Sequence, residues 1–83
     1  MTRADIEEKV KNFLVEEFEI EEQKLQPDAT LKENLGIDSL DFVDIVVIVN
    51  REFGFKIKPE EMKAVTTLAQ FYDYIDAHVN QQA

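Results

Sequence analysis

Apolar residues along this chain recur mostly at helical spacing, interrupted by one long irregular stretch. Ile6, Val10, Phe13 and Leu14 repeat with acids and lysines between them, and Thr2 followed by Asp5 has the form of a capping box. That pattern predicts a first helix over about residues 3–17. Periodicity fades over residues 19–38, where Pro27, Asp28 and Gly36 mark turns while Leu25, Leu31, Leu35 and Ile37 supply apolar anchors. A long loop pinned to the core is expected there, and loops of that length are usually functional or disordered.

Asp38 or Ser39 can cap a second helix that runs to about Phe53, with Gly54 as its left-handed stop. The run Ile45-Val46-Val47-Ile48-Val49 is β-branched throughout, and propensity alone reads it as a buried strand. Helix is preferred because Asp41 and Asp44 interrupt the apolar pattern, the length from cap to glycine suits a helix, and no second strand-like run can pair with it. At about 100° per residue, Phe42, Ile45, Val46, Val49 and Phe53 share one face and should be core. A second ridge of Leu40, Val43 and Val47 points elsewhere, beside Asp44 and Arg51; it is either a docking patch or a contact with the next helix.

Pro59 with Glu60 and Glu61 suits the first turn of a short third helix ending near Val65. Thr66 or Thr67 then caps a last helix whose Leu68, Phe71, Tyr72, Ile75 and Val79 form one stripe, with residues 80–83 frayed. The expected architecture is all-α: an antiparallel four-helix bundle of three longer helices and a short third, a single domain over residues 1–83.

Composition narrows the function. A hydrophobic fraction of 45% with two glycines and two prolines can build a core. Eighteen acids against nine bases give a net charge of −9, which favours a soluble monomer, argues against nucleic acid and membrane insertion, and makes basic protein surfaces the natural complement. Without cysteine there is no disulfide, thiolate metal site or protein thiol nucleophile, so any thiol chemistry must come from an added group. The N-terminus has no secretory or organellar character, and a cytoplasmic location is expected.

The segment Gly36-Ile37-Asp38-Ser39-Leu40-Asp41 resembles the acyl carrier protein family, whose signature is Asp-Ser-Leu at the start of the second helix. The resemblance extends over nearly the whole chain: the helix–loop–helix order, Glu52-Phe53, the Pro-Glu-Glu short helix, Thr66-Thr67-Leu68 and Asp73-Tyr74-Ile75. Asp41 after the motif favours the fatty-acid or polyketide type over the peptidyl type. The family implies that a phosphopantetheinyl transferase moves 4'-phosphopantetheine from coenzyme A onto Ser39, with Asp38 and Leu40 completing the motif. It also implies that the arm's thiol carries acyl groups as thioesters to acyl-transferring and chain-elongating enzymes.

The docking side implied by the family comprises Leu40, Asp41, Val43, Asp44 and Val47, continued here by Arg51 and Lys56. Asn50, Arg51, Lys56 and Lys58 stand where the commonest fatty-acid carriers tend to be acidic or uncharged, which points away from a housekeeping synthase. Phe42 and Phe55 are bulkier than the resemblance leads one to expect, and could reshape an acyl pocket between the second and last helices. The amides of the second helix's first turn can favour a phosphate at Ser39.

Two other roles fit the same residues: a carrier of aminoacyl cargo (D-alanyl or peptidyl), and an unmodified acidic adaptor. A Ser39 hydrolase is a weak reading, because the sole histidine, His78, lies in the last helix, where it can favour the C-terminus, and no Gly-x-Ser-x-Gly elbow is present. Asp38, Asp41 and Asp44 descend one side of a helix rather than alternating in a loop, so they form no EF-hand, and no metal site is expected.

Overall fold

In the computed structural model, which describes residues 2–80, the Thr2 hydroxyl accepts the Asp5 amide at 3.1 Å and the Asp5 carboxylate accepts the Thr2 amide. This capping box opens α1, Arg3–Phe18. The helix stops at Glu19, a non-glycine residue at φ 55°, where the Ile20 amide reaches back to the Leu14 carbonyl at 3.2 Å.

The second helix, α2, spans Ser39–Phe53 and closes at Gly54, whose φ of 79° is the left-handed conformation expected of a glycine stop. Its β-branched run is helical. Ile45, Ile48 and Val49 are buried and Val46 is half-buried, and burial of this kind outweighs a propensity deficit of a few tenths of a kcal/mol per residue. The buried stripe differs from the expected core face. Ile48 is part of it, while Phe42, Val46 and Phe53 sit at its edge, partly buried against the core.

The short third helix, α3, covers Pro59–Met62 and is shorter than expected. Beyond it the amides of Ala64 and Val65 bond three residues back, to Glu61 and Met62, which makes a turn instead of another helical turn. The Thr66 carbonyl is then taken by the Leu31 amide at 2.9 Å, outside any helix.

Thr67 opens the last helix, α4, Leu68–Asn80. Its hydroxyl accepts the Gln70 amide at 3.2 Å, and the Gln70 side-chain oxygen accepts the amides of Thr66 and Thr67, a reciprocal cap. Asn80, expected to fray, is the last helical residue and donates to the Asp76 carboxylate; the rest of the segment expected to fray, residues 81–83, lies outside the described residues.

The four helices pack as an all-α antiparallel bundle. Ile6, Val10, Leu14, Val49, Leu68 and Ile75 are fully enclosed at 0% exposure. At one end Arg3 ties α1 to α4, donating to Asp73 at 2.7 Å and Asp76 at 3.3 Å while its guanidinium lies 5.6 Å from the Tyr72 ring centre.

The long loop is pinned as its anchors require: Leu25, Leu31, Leu35 and Ile37 are buried, joined by Ile20 and Ala29. Its backbone is also stitched to the start of α4, with the Leu68 amide on the Ala29 carbonyl and the Ala69 amide on the Pro27 carbonyl, both at 2.9 Å. No helix among the described residues is long and apolar enough to cross a membrane.

Candidate functional site

The start of α2 is fixed by Asp38, not Ser39. One oxygen of the Asp38 carboxylate accepts the amides of Leu40 and Asp41, both at 3.0 Å, and the Asp41 carboxylate returns a bond to the Asp38 amide at 3.4 Å. A single carboxylate thus serves as both cap and favourable charge at the helix's positive end. Ser39 becomes the first helical residue, exposed, and its hydroxyl has no hydrogen-bond partner among the described residues.

Of the first-turn amides that could favour a phosphate at Ser39, those of Leu40 and Asp41 already donate to the Asp38 carboxylate.

Beside Ser39 opens a cleft of about 640 Å³, within the range of roughly 300–1,000 Å³ usual for small-molecule sites. Phe42 and Ile45 of α2, Met62 of α3 and Phe71 of α4 form its apolar floor and walls, and Leu31 and Ile37 of the long loop close one side. Ser39 and Asp38 stand at its edge, with Lys32 and Lys63 among its polar residues. The loop anchors are therefore cleft walls as well as core. Phe42 lines the cleft. Phe55 does not line it: that ring is buried elsewhere, 7% exposed, and stacks on His78 at 4.6 Å and 6°.

The wall made by α3 is held by a cluster the sequence did not reveal. The Tyr74 hydroxyl donates to Glu61 at 2.7 Å and accepts the Lys58 amide at 3.2 Å, and His78 Nε2 lies 3.4 Å from the same Glu61 carboxylate. Tyr74's hydrogen bond is the main cause that holds Glu61 below its ordinary 4.5, with the positive charges of His78 and Lys58 adding to it. Burial, and then the bond to Glu61, push the Tyr74 hydroxyl up. His78 stands in the last turn of α4, as expected, and is also engaged with Glu61 and the Phe55 ring. The i, i+4 spacing of Tyr74 and His78 was the available signal, but their partners come from segments far away in the sequence.

Along α2 the ridge of Leu40, Val43 and Val47 is 78%, 61% and 60% exposed, so α3 does not cover it. Asp44 is exposed beside it, and lines a second, smaller hollow of about 250 Å³ with Glu17, Glu19 and Asp41. Among the described residues no group of three or more His, Cys, Asp or Glu side chains is placed to hold a metal ion. Arg51 lies 3.8 Å from Glu17 of α1 and 3.7 Å from Glu52, so its charge is partly spent within the bundle. Lys56 is exposed and makes no ion pair among the described residues.

A family model described as "Phosphopantetheine attachment site" matches residues 8–75, most of the chain and every residue that lines the cleft. The chain belongs to that family. Domains of this phosphopantetheine attachment family carry 4'-phosphopantetheine covalently on a serine. The start of α2 suits such a group: a hydroxyl released from capping by its neighbour, exposed on a rigid helix end, beside an apolar cleft. The group supplies a terminal thiol on a flexible chain, which this cysteine-free protein lacks. Membership implies interaction with a phosphopantetheinyl transferase and with enzymes that act on the carried group.

Proposed function

We propose that the chain, acting as one domain, is an acyl carrier protein that tethers acyl intermediates to 4'-phosphopantetheine on Ser39. It would deliver them to acyl-transferring and chain-elongating enzymes of fatty-acid, polyketide or related lipid synthesis. The supporting observation is a coincidence of three properties at one residue. Ser39 is the chain's single serine, its hydroxyl is unbonded, and it borders the apolar cleft.

In loading, the Ser39 oxygen forms a phosphodiester as the pyrophosphate bond of coenzyme A breaks, adenosine 3',5'-bisphosphate leaves, and the serine proton passes to the transferase. The protein contributes no catalytic residue of its own: Asp38 fixes the helix start and Leu40 stands exposed beside Ser39 for the incoming enzyme. Cargo attached to the arm can exchange water for contact with Phe42, Ile45, Met62 and Phe71. Each buried methylene contributes about 0.8 kcal/mol, which favours alkyl chains over polar aminoacyl loads. The ridge of Leu40, Val43 and Val47 with Asp41 and Asp44 is the docking face.

Intact mass spectrometry after incubation with coenzyme A and a broad-specificity phosphopantetheinyl transferase tests the assignment. One arm on the wild type and none on Ser39→Ala is expected. An unmodified wild type, or equal loading of Ser39→Ala, would overturn it.

A further inference from the structure

Charge on this protein is segregated. Residues 51–63 hold four of the nine bases (Arg51, Lys56, Lys58, Lys63) and only Glu52, Glu60 and Glu61 of the acids, so this segment is positive by one in a chain of net charge −9. Arg51 is drawn to Glu17 and Glu52, but Lys56 and Lys63 form no ion pair among the described residues. After Gly54 the chain alternates: Phe55 and Ile57 are buried, at 7% and 1%, while Lys56 and Lys58 are exposed. The pattern places both lysines on one outward side. The stack of Phe55 on His78 and the bond from the Lys58 amide to Tyr74 fix the backbone that presents them. These lysines are held by the fold, and among the described residues no acid forms an ion pair with Lys56.

The opposite charge sits on Asp38, Asp41 and Asp44 at the start of α2, interleaved with the exposed Leu40 and Val43, and the exposed Val47 follows one turn further toward the end of the helix that precedes Lys56 and Lys58. At 1.5 Å per residue Asp41, the middle acid, stands roughly 18 Å along α2 from Phe53, the end of the helix after which Lys56 and Lys58 follow. That is about two screening lengths at physiological salt, where charges are screened over about 8 Å. A docking surface therefore meets two separate charges rather than their average.

We infer that the enzymes this carrier serves have a two-signed docking face, with bases where the Ser39 end of α2 lands, an apolar socket for Leu40, Val43 and Val47, and acids facing Lys56 and Lys58. This inference rests on the carrier reading and adds the partner's chemistry to it. An enzyme whose face is basic throughout meets the two lysines as like charges, and repulsion of that kind selects between partners.

The test uses the holo protein and two purified ketosynthases of known structure, one with a uniformly basic face around the active-site entrance and one with acids at its far end. Acyl-transfer kcat/KM is measured for the wild type and for Lys56→Glu with Lys58→Glu. Surface charges act mainly on the rate of encounter. The double reversal should raise kcat/KM with the uniformly basic enzyme about 5- to 10-fold at low salt and lower it similarly with the two-signed enzyme, both effects fading at high salt.

An unchanged rate with both enzymes, or a change of the same direction with both, would overturn the inference. Melting curves check the fold, and the single change Lys56→Glu, which leaves the Lys58 contacts intact, carries the test if the double variant unfolds. Intact mass separates the two levels of the reading: a wild type that takes no arm refutes the carrier itself, whereas a loaded carrier indifferent to the lysines refutes only the two-signed face.

Discussion

Replacing Asp38 and Ser39 one at a time should separate structure from function at adjacent residues. Asp38→Ala removes the acceptor of two amides, at 3.0 Å each, and leaves in place the backbone amide that donates to Asp41. Loss of a good cap costs about 0.5–2 kcal/mol, and loss of a carboxylate at a helix N-terminus about 0.3–1 kcal/mol more at low salt. Relief of self-repulsion in a chain of charge −9 works in the other direction, so a net loss of about 1–2 kcal/mol is expected. For a domain of this size each kcal/mol lowers the melting temperature by roughly 4–8 °C, so the shift should be about 4–15 °C. Asp38→Asn keeps the acceptor and loses the charge, and should lie between Asp38→Ala and the wild type. Ser39→Ala removes an exposed hydroxyl without a partner at a helical position, and should stay within about 0.5 kcal/mol of the wild type while abolishing loading. Thermal melts followed by circular dichroism measure all three. If Ser39→Ala proves as damaging as Asp38→Ala, the capping assignment is wrong, and the claim that Asp38 releases Ser39 for attachment goes with it.

Tyr72 is 3% exposed and its hydroxyl, buried and pushed up to about 12 chiefly by that burial, has no hydrogen-bond partner among the described residues. Tyr72→Phe should therefore stabilise the bundle by about 1 kcal/mol in urea titration, and a loss would mean the hydroxyl is satisfied. Raising salt or adding divalent cations should raise the melting temperature, because of the four lysines Lys9, Lys11, Lys32 and Lys63 only Lys9 forms an ion pair among the described residues, with Glu52 at 3.8 Å. A melting curve indifferent to ionic strength would refute this. Glu61, held below its ordinary 4.5, contributes stability that is present above that value and lost as pH falls through its lower folded value. The destabilisation caused by Tyr74→Phe should accordingly be full at neutral pH and shrink in acid below about 4.5, as read from urea midpoints; a penalty independent of pH would mean that the hydroxyl acts through the Lys58 amide and not through Glu61.

Features that depend on neighbours in the chain were legible in the sequence. The capping box at Thr2, the end of α2 at Gly54, the proline that opens α3 and the stripe of α4 all arise within one or two helical turns, so local chemistry determines them. Ser39, the proposed attachment residue, could be singled out in the same way, because the motif around it is contiguous. Tertiary packing decided the rest. Whether Asp38 or Ser39 caps depends on which side chain the rigid helix start turns toward the free amides, and both residue types are good caps. The β-branched run of α2 satisfies strand propensity as well as helix periodicity, and only burial of Ile45, Ile48 and Val49 against the other helices settles it. The cleft, the turn that shortens α3, and the Tyr74, His78, Phe55 and Glu61 cluster join residues from separate segments. No local pattern encodes such contacts, because they exist only once the helices and the long loop have closed on a common core.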